Sequence, residues 1–362
     1  MVFQGKTVFV AVCVIVLLFL GIPIHIEKES DKPAEHLFTE YVSKFNKNYK
    51  SNITEFMSRY ETFKETLAHI RELNQNQPPG GAVYGLTKFS DMSPGEFQER
   101  HLQPRMHHHI RLRLQRRHND SLHHNHHQHQ HHHNHVQRRA VGDDLPLVVD
   151  WRKKKVVTPV RNQKTCGACW AFSTVETVET MSALKTGVLQ SLSVQEVVDC
   201  AKNGNLGCDG GDSCNLVEWL VTNNVPVEPE KEYPLAWQTQ TCRIKASDTG
   251  VRVAPNFTCN YMVGEEDALA RLLARHGPVA VAVNAANWQN YLGGIVQFHC
   301  DGALQLINHA VQLVGFDRTG PVPFYIARNS WGTDFGDKGY IYLSMGANTC
   351  GVGTEVVSLD VL

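Results

Sequence analysis

Nine of the ten cysteines lie between Cys166 and Cys350, and only Cys13 lies outside this stretch. If these thiols are oxidised, they tie distant parts of one region together, which restricts its fold strongly. An odd number leaves at least one thiol unpaired. Whether disulfides form depends on the compartment that the chain enters.

The N-terminus indicates the secretory pathway. After Lys6, residues 7–24 are apolar throughout, and "EKESDKPAE" follows at once, as is typical of a signal peptide. An uncleaved signal anchor is the alternative, because the run reaches the lower length limit of a spanning helix and lacks a clear small-x-small cleavage site. In either case we assign residues 1–26 to the leader and expect a lysosomal or secreted protein with disulfides.

The composition of the chain excludes few classes of function. The chain has 362 residues, with 35 Lys plus Arg against 36 Asp plus Glu, so its bulk charge does not favour a nucleic-acid partner. The triplets that begin at Asn52, Asn119 and Asn256 are glycosylation acceptors if they are exposed.

Residues 27–100 have a helical and charged pattern. In 55–74, apolar residues recur at near-helical intervals with charges between them, which predicts an amphipathic helix. "QNQPPGG" ends this pattern, and the following residues predict a short strand, a turn and a second helix.

The next stretch is rich in histidine. Fourteen of the twenty histidines lie between His101 and His135, and 118–139 has almost no apolar residues, so we predict a disordered linker over 101–144. A metal-binding tract is the alternative. We favour the linker, because nothing fixes a ligand geometry. Its imidazoles gain charge near pH 6, so acidification should extend it and expose "QRR" (137–139) to proteases.

The region after residue 145 changes from helical to strand-like patterns. A helix is predicted from Cys169 to the stop at Gly187, a second begins at the capping box "SVQE" (193–196), and a third follows at 214–224. Beyond about residue 275, β-branched and alternating runs predict strands.

Cys166 and Cys169 in "NQKTCGACWAF" could be half a zinc site, a redox pair, or one structural and one reactive thiol. A zinc site needs a second closely spaced pair, which this chain lacks. A thioredoxin-like pair needs a preceding strand, whereas the predicted strands lie at the far end. A reactive thiol at a helix N-terminus is easier to ionise, and His309 and Asn329 could supply an imidazole and an amide that orients it.

The ordered segments "RNQKTCGACWAFS", "GCDGG", "NHAV" and "RNSWG" resemble the papain and cathepsin family of cysteine peptidases over 145 to about 356. The resemblance implies an α+β, papain-like fold of two subdomains, mainly helical at 150–255 and β-barrel-like at 256–362. It also implies a cysteine endopeptidase that works without a cofactor or metal. The unexpanded interval from Cys200 to Cys208 argues against a cathepsin B-like exopeptidase.

The resemblance assigns roles to five residues. Cys169 would be the nucleophile, kept as a thiolate by His309, which then protonates the leaving amine. Asn329 would orient His309, and Trp331 would cover the contact between them. The side-chain amide of Gln163 and the backbone N–H of Cys169 would bind the oxyanion.

Five further residues would bind the substrate. Gly211 would offer backbone hydrogen bonds to an extended chain. Asp212, Glu355, Ala282 and Ala310 would line the pocket for the second residue before the cut. Two acids there would favour Lys or Arg in the substrate. The alternative is that one or both acids point to solvent.

The family pattern also implies disulfides. The implied pairs are Cys166–Cys208, Cys200–Cys242 and Cys300–Cys350. Cys214 and Cys259 are left over, either as a fourth pair or as two buried thiols.

Residues 27–100 resemble the family's inhibitory propeptides. The helix motif matches at Glu55, Arg59, Phe63, Ile70 and Asn74, with Thr66 at a position where asparagine is usual. "GLTKFSD" (85–91) resembles the companion motif, with Thr87 for the usual asparagine.

We therefore expect a zymogen with 145–362 as the peptidase domain, cut near 139–145. Its expected partners are its own propeptide and protein or peptide substrates, with a membrane only if the leader is an uncleaved anchor, and we expect a monomer. An inactive peptide-binding relative and a His-rich extracellular metal-binding protein are the alternative functions.

Overall fold

A computed structural model describes residues 33–103, 106–125, 145–244 and 250–362, which divide into two units at Lys64/Glu65. The leader and the "QRR" stretch lie outside these residues. The α-helices are α1 Ala34–Lys44, α2 Ile53–Asn74, α3 Pro94–His101, α4 Met106–Asn125, α5 Cys169–Thr186, α6 Val194–Cys200, α7 Ser213–Thr222 and α8 Glu266–Arg275. The strands are β1 Val83–Tyr84, β2 Val148–Asp150, β3 Thr258–Asn260, β4 Val279–Val283, β5 Tyr291–Gly293, β6 Ile295–Val296, β7 His309–Asp317, β8 Phe324–Arg328, β9 Tyr340–Ser344 and β10 Glu355–Ser358.

The unit that ends at Lys64 is built around aromatic side chains. The Phe38 ring of α1 has its centroid 5.0 Å from that of Phe56 and 5.1 Å from that of Phe63, both on α2. Phe38 and Phe63 are fully buried. The helix predicted at 55–74 is confirmed, and Phe56 and Phe63 on it contribute to this small core.

The strands of the second unit form two sheets. The large sheet has the order β3-β10-β4-β7-β8-β9-β6, with β2 paired to β7, and all of its pairs are antiparallel except β6 with β9. The central strand β7 is buried along almost its whole length. In the other sheet, β1 pairs with β5. β1 belongs to the described residues before residue 145, which are called the pro-segment below. The predicted strands beyond residue 275 are confirmed.

The helices α5, α6 and α7 precede every strand of the large sheet in sequence except β2. α5 ends at Gly187, whose φ of 75° is the left-handed conformation that glycine adopts without strain. The Ser193 hydroxyl caps α6 by accepting from the N–H of Glu196 at 2.9 Å, as the capping box predicts. α5 packs against β7, and two hydrophobic cores result, which confirms the α+β fold of two subdomains.

Four disulfides cross-link the second unit. Three are the pairs that the family pattern implies, with Cα–Cα distances of 4.5 Å, 4.8 Å and 4.7 Å for Cys166–Cys208, Cys200–Cys242 and Cys300–Cys350. Cys214 and Cys259 form the fourth, with Cα atoms 6.0 Å apart. Cys169 is the single free cysteine in the part of the chain that the structure describes.

The prediction of disorder over 101–144 is wrong for α4 (Met106–Asn125). Met106 and Ile110 lie one helical turn apart and are 3% and 2% exposed, packed in the same core as Ala282 and Ala310. These partners lie far away in sequence, so composition alone does not reveal them. Residues 104–105 and 126–144 of the predicted linker lie outside the described residues.

The helices that the structure describes include none that is both long and apolar enough to cross a membrane.

A buried ion pair joins the two subdomains. Arg328 of β8 is 0% exposed, and its Nη2 lies 3.1 Å from Oε1 of Glu176 on α5. Arg161 approaches the same carboxylate, with its Nε 3.7 Å from Oε1. Buried charges are tolerated only when they are paired. The two arginines and Glu176 therefore depend on one another.

Arg328→Met should lower the free energy of unfolding by about 3 kcal/mol, because it leaves Glu176 buried with a weaker partner. The double variant with Glu176→Gln should recover part of this loss. Urea denaturation of the oxidised proenzyme measures both, with exposed Lys153→Met as the control. A loss no larger than that of the control would contradict the prediction.

Candidate active site

Cys169 is the first residue of α5 and is completely buried. The preceding loop is fixed by the Cys166–Cys208 disulfide and by a 2.8 Å hydrogen bond from the N–H of Gly167 to the carbonyl of Cys208. Backbone N–H groups of Ala310 and of the helix start point to the sulfur. The thiol therefore sits where a helix N-terminus and the beginning of β7 meet.

His309 is the first residue of β7 and is also completely buried. Its Nε2 lies 2.8 Å from Oδ1 of Asn329, which also accepts from the N–H of Ser330 at 2.8 Å. An amide oxygen can only accept, so Nε2 carries the proton in the neutral ring. Nδ1 is buried without a hydrogen-bond partner among the described residues, so its lone pair is available for a proton.

Trp331 and Trp288 pack against the imidazole of His309. The ring centroid of Trp331 lies 4.8 Å from that of His309, and Trp288 meets the imidazole at a ring-centroid distance of 5.9 Å, edge to face. Both tryptophans are 1% exposed. Their rings keep water from the imidazole–amide hydrogen bond, which strengthens it.

Gln163 is held by the loop that carries Asn329. Its Oε1 accepts from the hydroxyl of Ser330 at 2.6 Å, and its Nε2 donates to the carbonyl of Cys166 at 3.0 Å. A side-chain amide nitrogen has two N–H bonds, so a second one remains for an oxygen of a substrate.

The predicted substrate-binding residues come from both subdomains. Glu355 lies opposite Ala282 in the sheet, and Ala282 lies opposite Ala310, so the three form a row across β10, β4 and β7. Asp212 precedes α7 and caps it. Both acids are buried, at 1% and 4% exposure, so neither points to solvent in this form.

Gly211 lies beside the Trp170 ring. A Cβ atom at this position would lie 2.6 Å from that ring, so only glycine fits. The N–H of Gly211 donates to the side chain of Gln103.

Gln103, which sequence reasoning missed, occupies the cleft. Its Nε2 donates to the carbonyl of Gly167 and lies 3.2 Å from the sulfur of Cys169, and its Oε1 accepts from the N–H of Gly211 at 3.1 Å. Its own N–H donates to the carbonyl of Asn308 at 2.6 Å. Gln103 lies in no recognisable motif, so the sequence holds no signal for these contacts.

Comparison with known proteins agrees with this geometry. The family model described as "Papain family cysteine protease" matches residues 145–359, which is more than half of the chain. The chain belongs to the papain family of cysteine proteases. A second model, "Cathepsin propeptide inhibitor domain (I29)", matches residues 38–97, so this papain-family protein carries its own inhibitory propeptide.

Individual relatives and solved structures are also similar to this chain. Cathepsin O of Homo sapiens is 38% identical over 302 residues, 83% of this chain and 87% of the relative. Cathepsin O of Mus musculus is 43% identical over 226 residues, 62% of this chain and 71% of the relative. The structure of digestive procathepsin L 3 of Tenebrio molitor has a TM-score of 0.70 and 28% identity, and the match covers 91% of this chain and 99% of that one.

The covered site disfavours charge on both central residues of this papain-family zymogen. Burial raises the pKa of the Cys169 thiol to about 12, although nearby backbone N–H groups lower it. Burial lowers the pKa of His309 to about 4, although Asn329 raises it. The thiolate and imidazolium expected from the resemblance are therefore unfavourable while the pro-segment covers the cleft.

His101, at the end of α3, brings a titratable group to the covered site. It is 5% exposed, its Nδ1 lies 3.0 Å from the carbonyl of Lys164, and its Nε2 is buried without a hydrogen-bond partner in the described chain. Burial lowers the pKa of His101 to about 4, with Lys88 and Arg100 lowering it and Glu96 raising it to smaller degrees.

Acidification should weaken the docking of α3 through His101. The docked pKa of about 4 lies below the ordinary 6.5, so this docking stability is complete above pH 6.5 and falls as the pH drops towards 4. His101→Phe keeps the ring packing but cannot take up a proton, so docking should depend less on pH.

The rate of Cys169 alkylation in the proenzyme, divided by that in the mature enzyme at each pH, measures docking. His69→Phe, at a partly exposed position of α2, is the control. Identical pH dependence of this ratio in His101→Phe and the unmodified protein would contradict the prediction.

Proposed function

We propose that Cys169, His309, Asn329 and Gln163 carry out the peptide-bond hydrolysis of this cysteine endopeptidase. The observation that carries the proposal is the buried imidazole of His309. One of its nitrogens is held by Asn329 at 2.8 Å, and the other has no hydrogen-bond partner among the described residues.

Once the pro-segment has left, Nδ1 of His309 takes the proton of Cys169, and the thiolate attacks the substrate carbonyl carbon. The carbonyl π electrons move to oxygen, which accepts hydrogen bonds from Nε2 of Gln163 and from the N–H of Cys169. When the tetrahedral intermediate collapses, the carbon–nitrogen bond breaks. The imidazolium then gives its proton to the leaving amine, and an acyl-enzyme remains.

Water completes the cycle. His309 removes a proton from a water molecule, which attacks the thioester carbonyl and forms a second oxyanion at the same donors. The carbon–sulfur bond breaks, the carboxylic acid leaves, and the thiolate and imidazolium are restored. Asn329 keeps the ring in one orientation through both steps.

An extended protein segment is the proposed substrate. Gly211 would bind its backbone, Trp331 would form the wall on the leaving-group side, and the second residue before the cut would lie near Ala282 and Ala310. In the zymogen, the N–H of Gly211 donates to Oε1 of Gln103. A carbonyl oxygen of a substrate chain could accept the same hydrogen bond, which supports a peptide as the substrate.

We further propose that residues 1–26 are a leader, that the inhibitory propeptide expected at 27–100 continues through Gln103 and α4, and that 145–362 are the peptidase domain. Maturation cuts near 139–145 and yields a monomer that needs no cofactor in a lysosome or outside the cell. The four disulfides support an oxidising compartment. Asn52 and Asn256 are exposed, as glycosylation at these triplets requires.

The proposed nucleophile is tested by labelling acid-treated protein with a covalent epoxide probe. Labelling and peptide hydrolysis should both be lost in Cys169→Ala, because no other described cysteine is free. Gln163→Ala should still be labelled but should lose about 100-fold in kcat, since it removes one oxyanion donor. Far-ultraviolet circular dichroism controls for folding, and unchanged labelling of Cys169→Ala would refute the assignment.

A further inference from the structure

A groove lies on the surface of the peptidase part, between the end of α5, the segment just before β3, and residues 360–362. Its volume is about 510 Å³. Pockets of roughly 300–1,000 Å³ bind small organic groups. The groove is therefore large enough to hold a sugar.

The lining of the groove is partly buried and partly exposed. Met181, Ala254 and Val361 have exposures of only 7%, 7% and 6%, and they form an apolar floor. Leu184 and Leu362 also line the groove, but 36% and 64% of their surface is exposed. Covering these two leucines would remove apolar surface from water, which is favourable. The groove therefore favours an occupant with an apolar face.

Two charged side chains of the groove can bind hydroxyl groups. The Oδ2 of Asp360 accepts from Nδ2 of Asn256 at 2.6 Å, and its Oδ1 lies 3.2 Å from Nε2 of His276. The Nζ of Lys185 donates to the carbonyl of Val361 at 2.8 Å. An ammonium has three N–H bonds and a carboxylate has about four acceptor sites, so both groups can make further hydrogen bonds.

Asn256 connects this groove to a modification. It is the first residue of the triplet "NFT" (256–258), and both Asn256 and Thr258 are exposed, as an acceptor for N-linked glycosylation requires. In the secretory pathway, Nδ2 displaces the diphosphate of a lipid-linked oligosaccharide from C1 of its first N-acetylglucosamine, and one proton is released. The remaining N–H of Nδ2 can still donate to Asp360. Because Asn256 lines the groove, the attached sugar starts there.

The first sugar of an N-linked glycan matches this lining. N-acetylglucosamine has an apolar face of C–H groups and an acetamide methyl group, which can pack on the floor and against the two leucines. Its hydroxyl groups can accept from Lys185 and donate to Asp360. The groove thus offers both kinds of contact that such a sugar needs.

The groove is remote from the thiol. Leu184 lies fifteen residues after Cys169 on the same helix, which corresponds to about 22 Å at 1.5 Å per residue. The residues that line the groove all follow residue 145, so it persists when the pro-segment leaves. An occupant would therefore affect stability and leave the chemistry at Cys169 unchanged.

We propose that Asn256 carries an N-linked glycan whose first N-acetylglucosamine lies in this groove and covers Leu184 and Leu362. The sugar is then a packed part of the peptidase fold that joins the end of α5 to residues 360–362. The proposal rests on the secretory route proposed above. It does not rest on the peptidase function, which the epoxide label tests separately.

The rate of glycan release tests whether the sugar is packed. The full-length chain is produced in a secretory host and treated, native or denatured, with an endoglycosidase that cuts between the first two sugars. Mass spectrometry of the Asn256 peptide should show release about tenfold slower from the native protein. Leu184→Ser should remove most of this difference. Val188→Ser, at an exposed site that does not line the groove, is the matched control and should leave it unchanged.

An unmodified Asn256 would overturn the proposal. Equal release rates from native and denatured protein would overturn it as well, because the glycan would then extend into solvent. Cleavage of peptides by the mature enzyme should be the same for Leu184→Ser and the unmodified protein.

Thermal unfolding tests the stabilising contact. Thr258→Ala removes the acceptor triplet and should lower Tm by about 3 °C, whereas Thr258→Ser keeps an acceptor and should not. Asn256→Gln should give the same loss while keeping the hydrogen bond from Asn260 to Thr258. In the Thr258→Ala background, Leu184→Ser should have little further effect, because both changes remove one contact. If the two losses add in full, the sugar does not touch Leu184 and the proposal is wrong.

Discussion

The burial of Cys169 against the start of β7 is the constraint on which the rest of the structure depends. The thiol begins a long helix, α5, in one core, and His309 begins the central strand of the large sheet. The N–H of Ala310, next to His309, points to the sulfur of Cys169, so this site depends on both cores being complete. The Cys166–Cys208 disulfide and the buried pair of Arg328 with Glu176 hold that junction.

The same burial accounts for latency. A thiol and an imidazole without access to water remain neutral, and Nε2 of Gln103 lies 3.2 Å from the sulfur of Cys169. Gln103 also donates to the carbonyl of Gly167 and accepts from the N–H of Gly211, so these backbone groups are occupied in the covered form. Uncovering the cleft returns solvent to both groups and changes their ionisation together.

Much of this arrangement follows from local sequence patterns. The spacing around Cys169, the capping box at Ser193 and the alternation beyond residue 275 each depend on neighbours in the chain, so they predict helices and strands correctly. The family pattern predicts three of the four disulfides and names the candidate site residues.

Local sequence patterns do not predict contacts between segments that are distant in the chain. Nothing near Gln103 indicates a contact with a thiol, and the histidines around α4 suggested disorder. The sequence does not predict the burial of Asp212 and Glu355 either, because burial depends on what packs over them. Two leftover cysteines could be paired only once their distance was known.

The central claim is that covering the cleft keeps the Cys169 thiol neutral. Its ionisation can be followed by the ultraviolet absorbance of thiolate against pH, in the proenzyme and the mature enzyme, with Cys169→Ala of each as the blank. We predict no thiolate in the proenzyme at or below pH 8 and a clear thiolate signal in the mature enzyme at pH 6. The same titration curve in both forms would contradict the account.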